Sequence, residues 1–178
     1  VFATFLPGMA GAKALSDMIA GRVNPSGKLT ITFPERIEDM PTYMNFPGDG
    51  YHVSYGEGIY VGYRYYDKKK LRPRYPFGYG LSYTTFDCRL IDAVVDGDTI
   101  KVHTTVENTG KVAGSEVIQI YIHDPYSTLA KPEKELKPAL DLLEPVLERF
   151  DAVSTLYRPR KVTKQQGIFI FASPSASV

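Results

Sequence analysis

The first 35 residues combine a continuous apolar run, a helical pattern and an alternating pattern. The run VFATFL, residues 1–6, is typical of a strand buried on both faces. Across residues 10–22 apolar side chains recur at helical spacing, and Gly21 stands where a helix commonly ends. Apolar and polar residues alternate over 28–33, which predicts a half-buried strand. The pattern predicts a strand–helix–strand unit, too small for a domain, at the end of a larger α/β layer.

Residues 36–84 show no sustained hydrophobic period. They hold ten of the thirteen tyrosines, with several prolines among them. Long loops of this kind usually serve a purpose, and so many rings favour an ordered connection that packs aromatic side chains on a neighbouring surface. A short helix is predicted from Gly58 to Tyr66.

Strand patterns dominate residues 85–137. Alternating apolar positions predict three strands, over 86–90, 100–106 and 118–122. The pair Asp96-Gly97 between the first two is a strong hairpin signal. Three strands at this spacing are typical of the opening of a β-sandwich.

The last segment, residues 138–178, has a different pattern. Four residues lie at the spacing of a helix face that Pro145 interrupts, and GIFIFA predicts a strand before the disordered end SPSASV. The helix face consists of Leu140, Leu143, Leu147 and Phe150.

Composition excludes several classes of function. Lys+Arg and Asp+Glu are 21 and 20, for a net charge of +1, so no electrostatic footprint for nucleic acid or an anionic membrane is present. No apolar run approaches the roughly 20 residues that span a bilayer. The start VFATFL lacks a basic flank and a Met, which favours a fragment over a signal peptide. A single cysteine and no glycosylation sequon favour an intracellular or bacterial origin.

Three stretches between Leu6 and Asp87 carry a family resemblance: LPGMAGAKALSDMIAGRVNPSGKLTITFP, YGEGIYVGYRYYD and YPFGYGLSYTTFD. They resemble the C-terminal portion of family 3 glycoside hydrolases of the β-glucosidase type. TVENTGKVAGSEVIQIYI resembles the second and third strands of that family's fibronectin-III-like domain, and the resemblance extends through KPEKELK to Lys137. Beyond Lys137 it stops, and the tail is a divergent, shifted-frame or alternatively spliced end.

The resemblance implies a fold class and a division of the chain. The class is an α+β fragment with an incomplete fibronectin-III-like β-sandwich. Residues 1–35 would be the end of an α/β sandwich domain, 36–84 a Tyr-rich interdomain linker, 85–137 the first strands of the β-sandwich, and 138–178 a tail that does not match the family.

The resemblance also implies where the chemistry lies. Retaining glycosidases need two carboxyl groups about 5–5.5 Å apart, one as nucleophile and one as general acid. In family 3 the nucleophilic Asp lies on a barrel domain and the acid/base Glu lies upstream of this chain's first residues. Nothing here matches either motif, so no catalytic residue and no cofactor is assigned. The implied partners are the missing barrel and, for the full-length enzyme, a β-glucoside.

The acidic residues of this chain are candidates for an independent catalytic pair. Glu57 lies between glycines among tyrosines that can stack on sugars, but its simplest role is to bond backbone amides in a tight turn. No spacing selects Asp49 or Asp67 as its companion. Glu133 and Glu135 lie in a Lys-rich run that is most simply a solvated face.

The aromatic run is a candidate contact surface. Tyr60, Tyr63, Arg64 and Tyr66 would either join two domains or contact a sugar, and the first role is favoured. Arg64 would pair with Asp67 or stack on Tyr rings.

Other motifs fail. NPSGKLT lacks the first Gly and the Ser/Thr of a phosphate loop. His52, His103 and His123 share no spacing, so no metal site is predicted. Cys88 alternates with apolar neighbours and is interpreted as a small core residue.

Three hypotheses follow. The chain is a non-catalytic C-terminal portion of a β-glucosidase-type hydrolase, or a stand-alone carbohydrate-binding or interaction module. The third is a defective gene product whose incomplete sandwich exposes unpaired strand edges.

Overall fold

The computed structural model describes residues 1–96, 99–124, 129–137, 150–157 and 167–172. These ranges contain two helices, one short 3-10 turn and six strands. In chain order they are α1 (Gly11–Ile19), the 3-10 turn (Ile37–Asp39), α2 (Tyr63–Lys69), β1 (Phe86–Asp96), β2 (Thr99–Asn108), β3 (Ile118–His123), β4 (Glu135–Lys137), β5 (Phe150–Tyr157) and β6 (Gly167–Ala172).

The six strands form two antiparallel sheets of three strands each. One sheet has the order β1-β2-β5 and the other β4-β3-β6, so β2 and β3 are the middle strands. The register of β1 on β2 runs from Phe86 opposite Asn108 to Asp96 opposite Thr99, with a bulge between Leu90 and Asp92. The chain is therefore an α+β structure with few helices and antiparallel sheets.

The core lies on the two middle strands. Ile100 and Val102 of β2 and Ile120 and Ile122 of β3 form one buried apolar cluster. Each pair is two residues apart, as expected of side chains on one face of a strand. The strands predicted over 100–106 and 118–122 are confirmed as β2 and β3. Their alternating patterns predict strands correctly because the partner strands lie in the same chain.

The predicted strands of the first 35 residues are wrong. Residues 1–6 have no regular secondary structure, and 28–33 forms only an isolated bridge between Phe33 and Tyr75. Backbone hydrogen bonds also join Leu29 to Tyr79 and Gly78. A strand exists only through a partner, and the described residues place none beside residues 1–6. The helix is confirmed, as α1.

The second helix begins later than the sequence predicts. The interval 58–66 was expected to be helical, but α2 spans Tyr63–Lys69. Gly58 and Gly62 have φ of +56° and +58°, in the left-handed region that an α-helix does not use. The helix ends at Lys69, and Lys70, the next residue, has a left-handed backbone conformation. Lys68 and Lys69 lie at the negative end of the helix.

The predictions for the last segment have mixed outcomes. GIFIFA is confirmed as β6. Phe150 begins β5 and does not belong to a helix, so that part of the helix-face prediction is wrong. The other positions of that face, Gly97 of the predicted hairpin and the end SPSASV lie outside the described residues.

Hydropathy adds one finding about the helices. Within the described ranges, no helix has the length and apolar character that a membrane crossing requires.

Candidate functional site

A buried ion pair connects the segment 24–28 to the segment that precedes β3. The Lys28 Nζ atom lies 2.8 Å from Glu116 Oε1, and the two side chains are 5% and 7% exposed. The same ammonium donates a hydrogen bond of 3.1 Å to the carbonyl of Gly80. Lys28 thus binds two segments that follow it by more than fifty residues.

Asn24 makes a second connection at the same place. Its Oδ1 accepts hydrogen bonds from the Tyr83 N–H at 2.8 Å and from the Ser82 hydroxyl at 2.9 Å. Its Nδ2 donates to the Ala113 carbonyl at 3.0 Å. An amide side chain can accept from one segment and donate to another at the same time, and here the two segments are 82–83 and the one that contains Ala113.

Glycines permit this close approach. A Cβ atom on Gly114 would lie 2.5 Å from Asn24 Nδ2, and one on Gly80 would lie 2.8 Å from the Gly27 carbonyl oxygen. We call the set Asn24, Lys28, Gly80, Ala113 and Glu116 the polar joint. A side chain at position 80 would collide with backbone, and one at position 114 would collide with the Asn24 amide group.

Helix α2 makes a separate contact with β3 and β4. The Leu136 N–H donates a hydrogen bond of 2.9 Å to the Tyr63 hydroxyl. The Tyr63 ring meets the Tyr121 ring edge to face, with centroids 5.5 Å apart, and also packs against Phe77 at 5.4 Å. Tyr63 therefore contacts the sheet through both its hydroxyl group and its ring.

Charges surround this contact. Lys134 Nζ lies 3.2 Å from Asp67 Oδ2 and 5.3 Å from the centroid of the Tyr121 ring. Lys68 and Glu133 pair at 3.3 Å. Burial, with the nearby Tyr63 and Asp67, raises the pKa of Tyr121. The interpretation of the run KPEKELK as a solvated face is therefore wrong for Lys134 and Leu136, because they contact α2.

The remaining candidate contact residues lie on or before α2. Tyr66 is buried, and desolvation together with the Asp39 charge raises the pKa of its hydroxyl. The Arg64 guanidinium lies 6.0 Å from the Tyr63 ring centroid, whereas Asp67 pairs with Lys134. The Tyr60 N–H donates to the Glu57 carbonyl at 3.0 Å. A role of these side chains in sugar contact stays a prediction.

Glu57 differs from its expected environment. Its Oε2 atom is buried and has no hydrogen-bond partner among the described residues. The expectation that this carboxylate bonds backbone amides is wrong for that oxygen. Asp49 instead behaves in that way, because the N–H groups of Tyr51 and His52 bind it and lower its pKa.

A metal site and a reactive cysteine are two further kinds of candidate site. Among the residues that the structure describes, no group of three His, Cys, Asp or Glu side chains is placed to hold a metal ion. Burial raises the pKa of the Cys88 thiol to about 11, with smaller contributions from Glu116 and Asp87. A thiol in this state is a poor nucleophile at neutral pH.

Comparison with known families gives a clear relationship. The model for the glycosyl hydrolase family 3 C-terminal domain matches residues 1–83. Thermostable beta-glucosidase B of Acetivibrio thermocellus is 48% identical over 141 residues, which cover 77% of this chain and 19% of that protein. The chain belongs to glycoside hydrolase family 3. It spans about a fifth of the length of this curated relative.

Other family 3 relatives agree in sequence and structure. Probable beta-glucosidase K of Emericella nidulans is 53% identical over 125 residues, or 69% of this chain and 14% of that protein. The Bifidobacterium adolescentis GH3 beta-glucosidase matches 96% of this chain and 23% of its own, with a TM-score of 0.69 and 37% identity. Beta-glucosidase 3B of Thermotoga neapolitana has a TM-score of 0.68 and 38% identity, over 93% of this chain and 22% of its own.

A second family model matches a different part of the chain. The model for GDP dissociation inhibitors matches residues 102–178, and the two matched ranges do not overlap. This range includes the segment after Lys137.

The polar joint was missed by sequence reasoning. The sequence pattern places Lys28 on the polar face of the strand predicted over 28–33, and it assigns no contact to Asn24 or Glu116. The local signal is a Lys directly after Gly27 at the start of an alternating pattern, and its partner is 88 residues away. Spacing along one chain cannot reveal such a pair.

Proposed function

We propose that the chain is a non-catalytic C-terminal portion of a β-glucosidase-type hydrolase. In the whole protein that enzyme would remove terminal β-linked glucose by a retaining mechanism. The observation that carries the proposal is 48% identity with thermostable beta-glucosidase B over only 19% of that protein's length. The larger remainder of such a protein has room for the acids that cleave the glycosidic bond.

The electrostatics of the described residues support a non-catalytic role. A general acid at neutral pH needs a raised pKa. The carboxyl groups whose pKa clearly departs from the ordinary value all shift downwards, because cations or N–H groups bind them. They are Asp17, Asp49 and Glu135. Asp67 and Glu116 are engaged by lysines.

The proposed role of the chain is structural. Residues 1–35 are the end of an α/β sandwich domain, 85–137 are the first strands of a fibronectin-III-like domain, and 36–84 are the linker that fixes one on the other. Tyr63 and Arg64, with the buried Tyr66 on the same helix, form one fixing point. What supports this role is the combination of the polar joint with the α2 contact to Leu136.

A graft tests the proposal. The matched stretch of thermostable beta-glucosidase B would be replaced by the corresponding part of this chain, and turnover of an aryl β-glucoside measured. We expect an active chimaera, and Lys28→Met in the graft should reduce the yield of folded enzyme because it leaves Glu116 buried and unpaired. Lys13→Met, at an exposed position, is the matched control.

Two outcomes of related measurements would contradict the proposal. One is a well-folded chimaera without turnover. The other is calorimetric binding of cellobiose by the isolated chain that is abolished by Tyr60→Ala or Tyr63→Ala, which would favour a stand-alone carbohydrate-binding module.

A further inference from the structure

A run of cations begins in the last turn of α2 and continues beyond the helix. Five of the seven residues 68–74 are Lys or Arg, and no acidic residue interrupts them. All five side chains are exposed: Lys68, Lys69, Lys70, Arg72 and Arg74. We call residues 68–74 the basic run. Because proteases of the trypsin type hold the cation of their substrate against a carboxylate, exposed Lys and Arg residues are what such enzymes recognise.

The two ends of the basic run have acidic partners. Lys68 Nζ lies 3.3 Å from Glu133 Oε1, and Arg74 Nη1 lies 3.2 Å from Glu35 Oε1. Within the described ranges, no carboxylate pairs with a cation that lies between those two. The cations in the middle of the run can therefore enter the pocket of another protein without breaking an ion pair.

The backbone leaves the helical conformation in the middle of the basic run. α2 ends at Lys69, and Lys70 has a φ of +53°. The N–H groups of Lys70 and Leu71 donate to the last turn of α2 at 3.1 and 3.0 Å, and the next backbone hydrogen bond in the described part of the chain is that of Tyr75 with Phe33. Since a protease binds its substrate in an extended form, the run must open locally, and the opening of residues 70–74 breaks these two hydrogen bonds.

The last two cations of the run are less suitable for cleavage. Arg72 precedes Pro73, which has no backbone N–H and a fixed φ. Arg74 is engaged by Glu35, and its guanidinium lies 6.0 Å from the ring centroid of Tyr75. The bonds that follow residues 69 and 70 are therefore the accessible ones.

The parts of the chain before and after the basic run are joined by contacts that a cut would leave intact. The polar joint connects the segment 24–28 with residues 80–116. A bridge pairs Phe33 with Tyr75, and the Tyr63 hydroxyl accepts from the Leu136 N–H. Because these contacts lie at separate places, the two parts come apart only when all of them break together.

We propose that the basic run is a processing site, where a protease specific for Lys or Arg cleaves after Lys69 or Lys70 and leaves two pieces that stay assembled. The C–N bond of the peptide breaks, the hydroxyl group of water bonds to the carbonyl carbon, and the proton goes to the nitrogen. One piece thus ends in a new carboxylate, and the other begins with a new amino group. This site does not depend on the proposed relation to glucoside hydrolysis.

Lys111 provides an internal comparison for the experiment. It is exposed in the segment between β2 and β3. Asn108 closes this segment, because its Oδ1 accepts from the Gly110 N–H at 3.1 Å and its Nδ2 donates to the Val112 carbonyl at 2.9 Å. If exposure alone decided cleavage, Lys111 and the basic run would be cut at the same rate.

Limited digestion of the folded chain with trypsin, followed by mass spectrometry, tests the site. The readout is the set of pieces that begin at Val1. We expect the piece ending at Lys69 or Lys70 to form at least about tenfold faster than the piece ending at Lys111, because local opening of the basic run breaks fewer contacts. Equal initial rates of the two cuts would overturn the proposal.

Two variants separate the site from the rest of the chain. Lys69→Gln combined with Lys70→Gln should abolish the early piece, while the piece ending at Lys111 forms at the unchanged rate. Lys111→Gln is the matched control, and it should leave the early cut unchanged. An early cut of the double variant at the original rate would show that another bond is the site.

Size-exclusion chromatography of the digested chain tests the assembly. The piece ending at Lys70 should elute together with the piece that begins at Leu71, and the two should separate only in denaturant. Separate elution without denaturant would overturn the proposal.

Discussion

Residues 1–61 and the two β-sheets differ in how many of their apolar side chains are buried. Among the side chains that the structure describes, most of the exposed large apolar ones lie in residues 1–61, for example Leu6, Met9 and Met44. Ile100 and Val102 in β2 are instead almost completely buried. The sheets bury their apolar surface against each other. The contacts described for the first region are instead mostly polar: hydrogen bonds, the exposed Glu35–Arg74 pair and the buried Lys28–Glu116 pair. Its position therefore depends on a few polar residues.

The largest effect is expected from breaking the polar joint. Lys28→Met should reduce the free energy of unfolding by about 3–5 kcal/mol, because Glu116 would stay buried without its cation. Denaturant unfolding of the purified chain measures it, and Lys13→Met at an exposed pair should cause little change.

A double variant sharpens that result. Lys28→Met combined with Glu116→Leu removes both charges and should recover much of the lost stability. If the double variant is as unstable as the sum of the single ones, the pair does not act as a unit.

Substitution of one isoleucine in each region compares the regions directly. Ile100 is 2% exposed and Ile31 is 46% exposed. Ile100→Ala should reduce the free energy of unfolding by about 2–5 kcal/mol, since it leaves a cavity between the sheets. Ile31→Ala should reduce the free energy of unfolding much less. Equal reductions for the two variants, measured by denaturant unfolding, would contradict the placement of the core.

The α2 contact should give a smaller effect. Tyr63→Phe removes the oxygen that accepts from the Leu136 N–H and should destabilise by about 1–3 kcal/mol. Tyr51, which is 95% exposed, provides the control Tyr51→Phe. Thermal unfolding of the two variants should differ, and identical midpoints would show that the hydroxyl contributes nothing.

The smallest effect is a pH dependence from Cys88. Because burial raises the pKa of this thiol from 9.0 to about 11, its contribution to stability is present below pH 9 and is lost as the pH rises from 9 to 11. The unfolding midpoint should fall over that interval less steeply in Cys88→Ala than in the unchanged chain. Parallel pH profiles would show that the thiol is not desolvated.

The sequence predicted the sheets better than the first region, for a physical reason. β1, β2 and β3 have their partners in the same chain, so alternation over residues such as 100–106 translated directly into paired strands. Residues 1–6 carry a strand pattern but no partner strand among the described residues, so the same rule failed. An alternating or apolar pattern predicts a strand correctly only when a partner strand lies beside it.

The candidate contacts were predicted in part. Tyr63 was singled out from its aromatic surroundings, and it contacts β3 and β4. Lys134, which pairs with Asp67, was assigned to a solvated run because its partner is 67 residues away. Glu57 was given backbone partners that its buried Oε2 lacks. Long-range polar pairs are set by the tertiary fold, so short-range spacing cannot identify them.

Hydrolysis by the isolated chain tests the central claim, that these residues are a scaffold without their own catalytic acids. The purified chain should release no phenol from an aryl β-glucoside above the rate of a heat-denatured sample, while full-length thermostable beta-glucosidase B serves as the positive control. Turnover by the chain that is abolished in Glu57→Gln would contradict the claim.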